Sequence, residues 1–458
     1  MHRLFKNALL STSVFGVSWT GAVSYWRATN RMPSTLDLLT WMALLPLAML
    51  LALWIGRRIV VARAAAASAA GTAPAAGAAP VTPAAPPALP ALAILASSIR
   101  TPHGATPADL AQAVGAQRAR AGLDPELVDN NGYPLLSART DAAVDEIRDE
   151  IEAWRAEAAL DDPHWSPEQW RALTLGSAVA ADLLLAAAGH PRLLAQDDGA
   201  PALAPLLRIH AAMTPAWNED QRAVAVAWLA ALALRHGWPA QRLQVDGLAA
   251  AASTTLTQLA AHAAGGAEPV FAIVLAFDSR IGAAPVERMT LDGTLFSAAN
   301  PQGLVPGEAA AGLLVADSVQ ATLFDAAAPR LQLASVPRSA EGGARPDTAL
   351  LRQLAGRLLP DANDAAGVGA VFADTGHRSA PQVELMRFAG EALPHLDAGE
   401  DIKTVGAACG HCGDAPFLAA LALAHQHASE HAGAAFCVGN EDPLQRTAAL
   451  VRPAAAQS

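Results

Sequence analysis

Apolar positions cluster into two uncharged windows at the start of the chain, then settle into an alternation of short and long runs. From Leu38 to Gly56 the sequence LLTWMALLPLAMLLALWIG is uncharged and almost wholly apolar. At 1.5 Å rise per residue it just crosses a hydrocarbon layer ~30 Å thick, which predicts a transmembrane helix. A second uncharged window, Asn7 to Trp26, is diluted by Ser11, Thr12, Ser13, Ser18, Thr20 and Ser24. It suits a first span, with Tyr25 and Trp26 at the height of an interfacial aromatic belt. Residues 1–63 therefore read as a membrane anchor, either one helix or a hairpin with spans about 7–26 and 38–56.

Orientation follows the cationic flanks. Arg3 and Lys6 precede a hairpin and Arg57, Arg58 and Arg63 follow it, against Arg27 and Arg31 in the turn. That balance puts both ends in the cytoplasm and the anchor in an inner (cytoplasmic) membrane; a single span leaves the rest of the chain periplasmic. Residues 64–90 are nearly all Ala, Pro, Gly, Ser and Thr, with Pro74, Pro80, Pro83, Pro86, Pro87 and Pro90 breaking any helix. Such a stretch buries no core and acts as a semi-rigid spacer.

Beyond residue 90, β-like runs alternate with Ala/Leu-rich helical stretches, which predicts α/β layering. Strands are expected at Leu92–Ser97, Val270–Asp278, Gly312–Ala316, Gly369–Ala373, Thr404–Ala407 and Ala434–Gly439. Helices are expected at Thr106–Ala121, Ala142–Ala159, Pro167–Ala188, Glu219–His236, Ser253–Ala264, Thr348–Leu359, Ala380–Ala392 and Ala415–His431. The run Asp317 to Ala344, ending in Glu341-Gly-Gly-Ala-Arg-Pro346, suits a join between two halves, 91–330 and 331–458.

Composition changes this picture in two ways. Across 458 residues only 16% are charged and 52% are hydrophobic, consistent with part of the chain lying in lipid. A net charge of −11 argues against nucleic acid, which calls for clustered Lys and Arg. The three cysteines all fall after residue 400, too few for a disulfide framework. The acidic stretch Asp141 to Glu152, with Arg148 and Arg155, reads as a solvated helix face, and Trp154, Trp165 and Trp170 as packing residues.

Two spacings near the C-terminus carry possible chemistry. Cys409-Gly-His-Cys412 is a C-x-x-C motif before a predicted helix, where a helix N-terminus would lower a thiol pKa, as in redox enzymes. Cys409, Cys412, His425 and His431 also fit zinc-finger spacing, which leaves a metal-binding module as one alternative. No Lys or Arg lies between Thr404 and Gln445 to hold phosphate, and neither spacing outweighs its coincidence.

A third pattern uses more of the chain. Asn300-Pro-Gln-Gly-Leu-Val-Pro-Gly-Glu-Ala-Ala-Ala-Gly-Leu-Leu-Val315 resembles the glycine-rich entry to a core strand in β-ketoacyl synthases. Val371-Phe-Ala-Asp-Thr-Gly-His-Arg-Ser379, followed by Glu384, resembles their segment carrying a first catalytic histidine, and Val405-Gly-Ala-Ala-Cys-Gly-His-Cys-Gly-Asp-Ala415 the turn carrying a second. The three fall in family order. The resemblance spans roughly residues 91–453 and implies a thiolase-like fold: two duplicated βαβαβ halves in a layered sandwich, commonly homodimeric.

The departures bear on chemistry. Condensing enzymes of this superfamily use a cysteine nucleophile at a helix N-terminus and two histidines that stabilise developing negative charge. The corresponding stretch, Val245-Asp-Gly-Leu-Ala-Ala-Ala-Ala-Ser253, contains no cysteine. Asp374 stands at the first histidine position, with His377 nearby only after a register change, and His411 alone matches residue by residue. Ser253 or Thr254 are substitute nucleophiles in principle, though Ser253 reads more simply as a helix N-cap. The candidate site is thus His411, Asp374 and Ser253, without cofactor or metal. The expected role is a membrane-tethered, non-condensing ketosynthase-like scaffold or adaptor for a partner protein. One form would be a bacterial secretion-system accessory, for which no residue motif speaks. The alternative is an acyl-thioester-binding or acyl-transfer enzyme using His411 with Ser253 or Cys409.

Overall fold

The computed structural model describes residues 89–454, apart from 130–131, 143–144, 195–203, 249, 267, 325–326, 340–346 and 432. The expected spans, and all but the last two residues of the expected spacer, lie outside the described residues. Among the described residues one helix, Pro167–Ala188, is long and apolar enough to cross a membrane. It packs instead on the sheet described below.

The first half opens with β1 (Ala91–Arg100), followed by α1 (Pro107–Gly115), the hairpin β2 (Gly122–Val128) and β3 (Pro134–Ser137), and α2 (Asp145–Glu157). Then come α3 (Pro167–Ala188), β4 (Leu207–Ala212), α4 (Glu219–Arg235), β5 (Leu243–Leu248), α5 (Ala252–Gly265), β6 (Phe271–Ser279), α6 (Ala283–Leu291) and β7 (Glu308–Ala316). The second half runs β8 (Arg330–Pro337), α7 (Ala349–Leu358), β9 (Val368–Ala373), α8 (Ser379–Ala392), β10 (Ile402–Thr404), α9 (Ala415–Glu430), β11 (Ala434–Gly439) and β12 (Gln445–Arg452).

The strand order shows the duplication. The ten strands align as β10-β9-β11-β12-β8-β1-β7-β6-β4-β5. In each half the third strand pairs in parallel with the second, the second with the fourth, and the fourth, fifth and first run antiparallel. The halves join where β1 meets β8, Leu92 opposite Leu331.

Helix placement completes the layers. The helix between third and fourth strands, α5 in one half and α9 in the other, packs on strands of both halves and forms the middle of the molecule. Helix α9 therefore has no polar face along most of its length: Ala415 to Ala424 are all buried. On the outside, α3 and α4 cover the first half's sheet around Trp228 and Phe277, and α7 and α8 cover the second half's around Phe388 and Phe436. The order helix, sheet, helix pair, sheet, helix is the layered sandwich.

Two local expectations are corrected. Residues Thr404–Ala407 do not form a strand: β10 stops at Thr404, and Gly406–Cys409 make one helical turn. The turn lies so close to the end of β9 that a Cβ on Gly406 would run into the carbonyl oxygen of Asp374, so only glycine fits there. Helix α1 ends at Gly115 rather than Ala121, and the chain from Gly122 enters the hairpin. The acidic helix α2 is largely exposed, with an Arg148–Glu152 pair at 3.0 Å, and Trp165 packs edge-on against Trp170 with centroids 4.7 Å apart.

Candidate functional site

All three glycine-rich segments of the resemblance meet at one end of the sheets. Gly307, leading into β7, packs so closely on the 409–411 turn that a Cβ there would lie 2.0 Å from the Cys409 carbonyl oxygen. The His411 amide donates to the Val305 carbonyl at 2.8 Å, so the turn is fixed to the β7 entry strand. Gly410 holds φ +67°, a left-handed conformation glycine adopts without penalty. His411 is thereby pointed into the centre.

A cavity of about 40 Å³ is lined by Asp374, His377, His411, Cys412 and Glu441. The structure thus brings together two of the three candidate residues, and His377 with them. His411 also borders a larger cleft of about 420 Å³ with Asp278, Arg280, Thr214 and Trp217. Burial and the neighbouring Arg280 and Arg378 guanidinium groups push the His411 pKa down to about 4, so its imidazole is neutral at neutral pH. His377 packs edge-on against Phe296, centroids 5.1 Å apart, with its Nε2 buried and unpartnered.

Asp374 ends β9 as a structural acceptor. Its Oδ1 accepts from the backbone amides of Asn440 at 2.8 Å and Glu441 at 3.2 Å. Burial nevertheless raises its pKa to about 7, opposed by the Asn440 amide and reinforced by the Glu441 charge. It is therefore no fixed anion near neutral pH, and it is no imidazole either. Around it, Arg378 donates to Glu441 Oε1 at 2.9 Å, and Glu441 Oε2 accepts the Gly376 amide at 3.0 Å.

Ser253 lies apart from this cavity. It is inside α5, whose N-cap position is Ala251 with no side-chain capping bond, so the N-cap reading is corrected. The N-terminus of that helix is served from elsewhere: Asp414 Oδ2 accepts the Ala252 amide at 2.7 Å. By position Asp414 is the N-cap of α9, yet its carboxylate makes no bond there and reaches across to α5. The helix dipole favours a carboxylate at an N-terminus, while burial raises the Asp414 pKa. Ala250, Ala251, Gly413 and Asp414 line a separate space of about 220 Å³ with Asp278 and Arg280.

The cysteines are core residues. Cys409, Cys412 and Cys437 are free and buried. Desolvation raises Cys409 to about 12 and also raises Cys412 well above the ordinary thiol value, with the neighbouring Cys409, Asp278 and Glu308 adding to the rise, the opposite of an activated thiol. The zinc-finger spacing does not fold into a site: His425 Nδ1 engages the Ser97 hydroxyl at 2.9 Å, and His431 Nδ1 the His427 carbonyl. Among the described residues no group of three His, Cys, Asp or Glu side chains could hold a metal ion.

Other polar residues that shape the site were not legible. Glu308, fully buried, accepts from Arg171 Nε at 2.8 Å, the Thr140 amide at 2.9 Å and Ser279 Oγ at 2.9 Å. It pins α3, the 138–142 segment and the ends of β6 and β7 to one point. Asp278, two residues earlier than its partner Arg280, is bonded to it at 2.8 Å. Glu308 and Asp414 stood within quoted motifs, but the partners they reach, Arg171 on α3 and the Ala252 amide of α5, had no signal in the sequence.

No family model and no curated protein matches this sequence. Solved structures do resemble it. An oxazolomycin ketosynthase domain of Streptomyces albus JA3453 superposes with a TM-score of 0.57 at 14% identity, covering 81% of this chain and 75% of that one. The ketosynthase from module 6 of the bacillaene synthase of Bacillus subtilis 168 gives 0.55 at 14% identity, covering 80% and 72%. That from module 1 of the bacillaene synthase of Bacillus amyloliquefaciens FZB42 gives 0.52 at 12%, covering 80% and 74%. With the duplicated strand order, these likenesses establish that the chain has the thiolase-like ketosynthase fold.

Proposed function

We propose that this protein keeps the ketosynthase fold without its condensing chemistry and works as a membrane-tethered binding platform. The observation that carries the reading is the N-terminus of α5. Where a condensing enzyme would hold its nucleophile, the first helical residue is Ala252, fully buried, and its amide is taken by the Asp414 carboxylate at 2.7 Å. A carboxylate there opposes both thiolate formation and a developing enolate.

The cavity of about 40 Å³ shared by His411 and Asp374 is on the scale of a water molecule or two, and the roomier cleft of about 420 Å³ that His411 also borders is lined by neither Asp374 nor Ser253. Among the described residues no base is bonded to Ser253 Oγ, and the Ser253 backbone carbonyl accepts from Thr257 Oγ1 at 2.8 Å. Tethering rests on the uncharged Leu38–Gly56 run in the sequence. β5 is an edge strand with its outer side free to pair, which suits association of two copies.

The test is product analysis. Purified protein is incubated with a short or long acyl-thioester and a malonyl-thioester, and carbon dioxide release and chain-extended product are measured. The reading expects neither above a no-protein control; turnover that falls with His411→Ala would overturn it.

A further inference from the structure

A large groove, separate from the candidate site's cavity and sharing with it only the Phe296–His377 contact, lies between the β2–β3 hairpin and α6, with a volume of about 850 Å³. Its walls are apolar: Leu127, Val128, Tyr133 and Leu135 from the hairpin face Val286 on α6, over a floor that includes Phe296. The upper parts are open to solvent, Tyr133 being 69% and Val128 51% exposed. Large apolar side chains gathered at one open groove mark an interaction surface rather than scattered surface residues.

The charge of the groove is one-sided. Glu126, Asp129 and Glu287 line it, and no Lys, Arg or His does. Glu126 is bonded at its rim to Arg139 at 3.2 Å, and Asp129 accepts the Tyr133 amide at 2.9 Å. Glu287 projects from the exposed side of α6, whereas Arg288, the next residue, turns to the 420 Å³ cleft. Anionic lipid or nucleic acid would be repelled by these carboxylates.

We propose that this groove is the docking site for a cationic amphipathic helix of a partner protein. α6 has nine residues, about 13 Å of wall at 1.5 Å per residue, enough to lie beside two to three turns of a second helix. Apolar side chains of that helix at i, i+3, i+4 and i+7 fill the groove, and flanking Lys or Arg meet Glu287, Asp129 and Glu126. The protein's net charge of −11 speeds approach of such a segment. The inference rests on the binding-platform reading and names the chemistry of its partner.

The test uses full-length protein in zwitterionic nanodiscs and a fluorescent 14-residue helix of Leu and Lys with one apolar face, read by anisotropy against empty nanodiscs. Two further probes share its length: a scrambled Leu/Lys peptide without a face, and a version with Glu for Lys. The one-faced cationic helix should bind about tenfold more tightly than either. Glu287→Lys or Tyr133→Asp should weaken it about fivefold or more, and Glu400→Lys, an equal charge change on an exposed residue outside the groove, less than about twofold. Absence of binding, equal binding of scrambled and faced peptides, or equal losses at Glu400 and Glu287 would overturn the proposal. Condensation product in the thioester assay would instead remove the platform reading while leaving the groove result to stand or fall by itself.

Discussion

Replacing Asp374 by Asn tests the electrostatics of the candidate site. The amide oxygen of Asn can still accept from the Asn440 and Glu441 amides, so the change removes charge with little change of shape. In the folded protein the Asp374 pKa is raised from 3.8 to about 7. A raised carboxyl pKa means the folded state holds the proton more tightly than the unfolded chain. The associated stability is present at low pH and is lost as pH rises from the unfolded value through the folded one. Between pH 5 and pH 8 about two units of that window are crossed, and each is worth about 1.4 kcal/mol, so wild type should lose about 3 kcal/mol through this group. Asp278 and Asp414 titrate in the same direction in both proteins and cancel in the comparison. Urea unfolding at the two pH values is the assay. Asp374→Asn should be the more stable protein at pH 8, with its advantage at pH 5 smaller by about 3 kcal/mol. Parallel pH profiles, or a variant less stable at pH 8, would refute the reasoning.

Three other outcomes follow from the packing. Arg171→Met leaves Glu308 buried and unpaired and should cost ~3–5 kcal/mol in urea unfolding, whereas Arg148→Met, which breaks the exposed pair with Glu152, should cost less than ~1 kcal/mol. Ellman's reagent should release no thiol from native protein and all three after denaturation, since each cysteine is buried with its pKa raised; reaction of native Cys409 would revive it as a nucleophile. Gly406→Ala drives a Cβ into the Asp374 carbonyl and should destabilise by at least ~1–3 kcal/mol, seen as a lower thermal midpoint and loss of near-ultraviolet dichroism.

What the sequence disclosed depended on which physical signal each element carries. Helix α3 was legible at both ends, because Ser166 and Gln169 form a capping box with Pro167 in the first turn. β6 was legible as a continuous apolar run buried on both faces. β2, β3, β4, β5, β8 and β12 were missed. In β12 Ala448 and Ala449 occupy central positions, and in this chain the same Ala and Leu residues build helices α4 and α9, so composition does not separate the two. The expected strand Thr404–Ala407 was displaced: β10 covers Ile402–Thr404, and the chain turns helical at Gly406, where there is no room for a side chain. In the site, His411 and Asp374 were singled out by the resemblance of their segments to those of β-ketoacyl synthases, and they do share a cavity. Glu308 and Arg171 are 137 residues apart, and Ala252 and Asp414 162, so nothing local in the chain links them.

The most direct test of the central claim is intact-mass analysis of wild-type protein after incubation with short and long acyl-thioesters, alongside Ser253→Ala and Cys409→Ser. With Ala252 at the helix N-terminus, Asp414 bonded to its amide and the thiols buried, the mass should be unchanged in all three proteins. A stable acyl adduct on wild type, lost in one variant, would identify a working nucleophile and contradict the account.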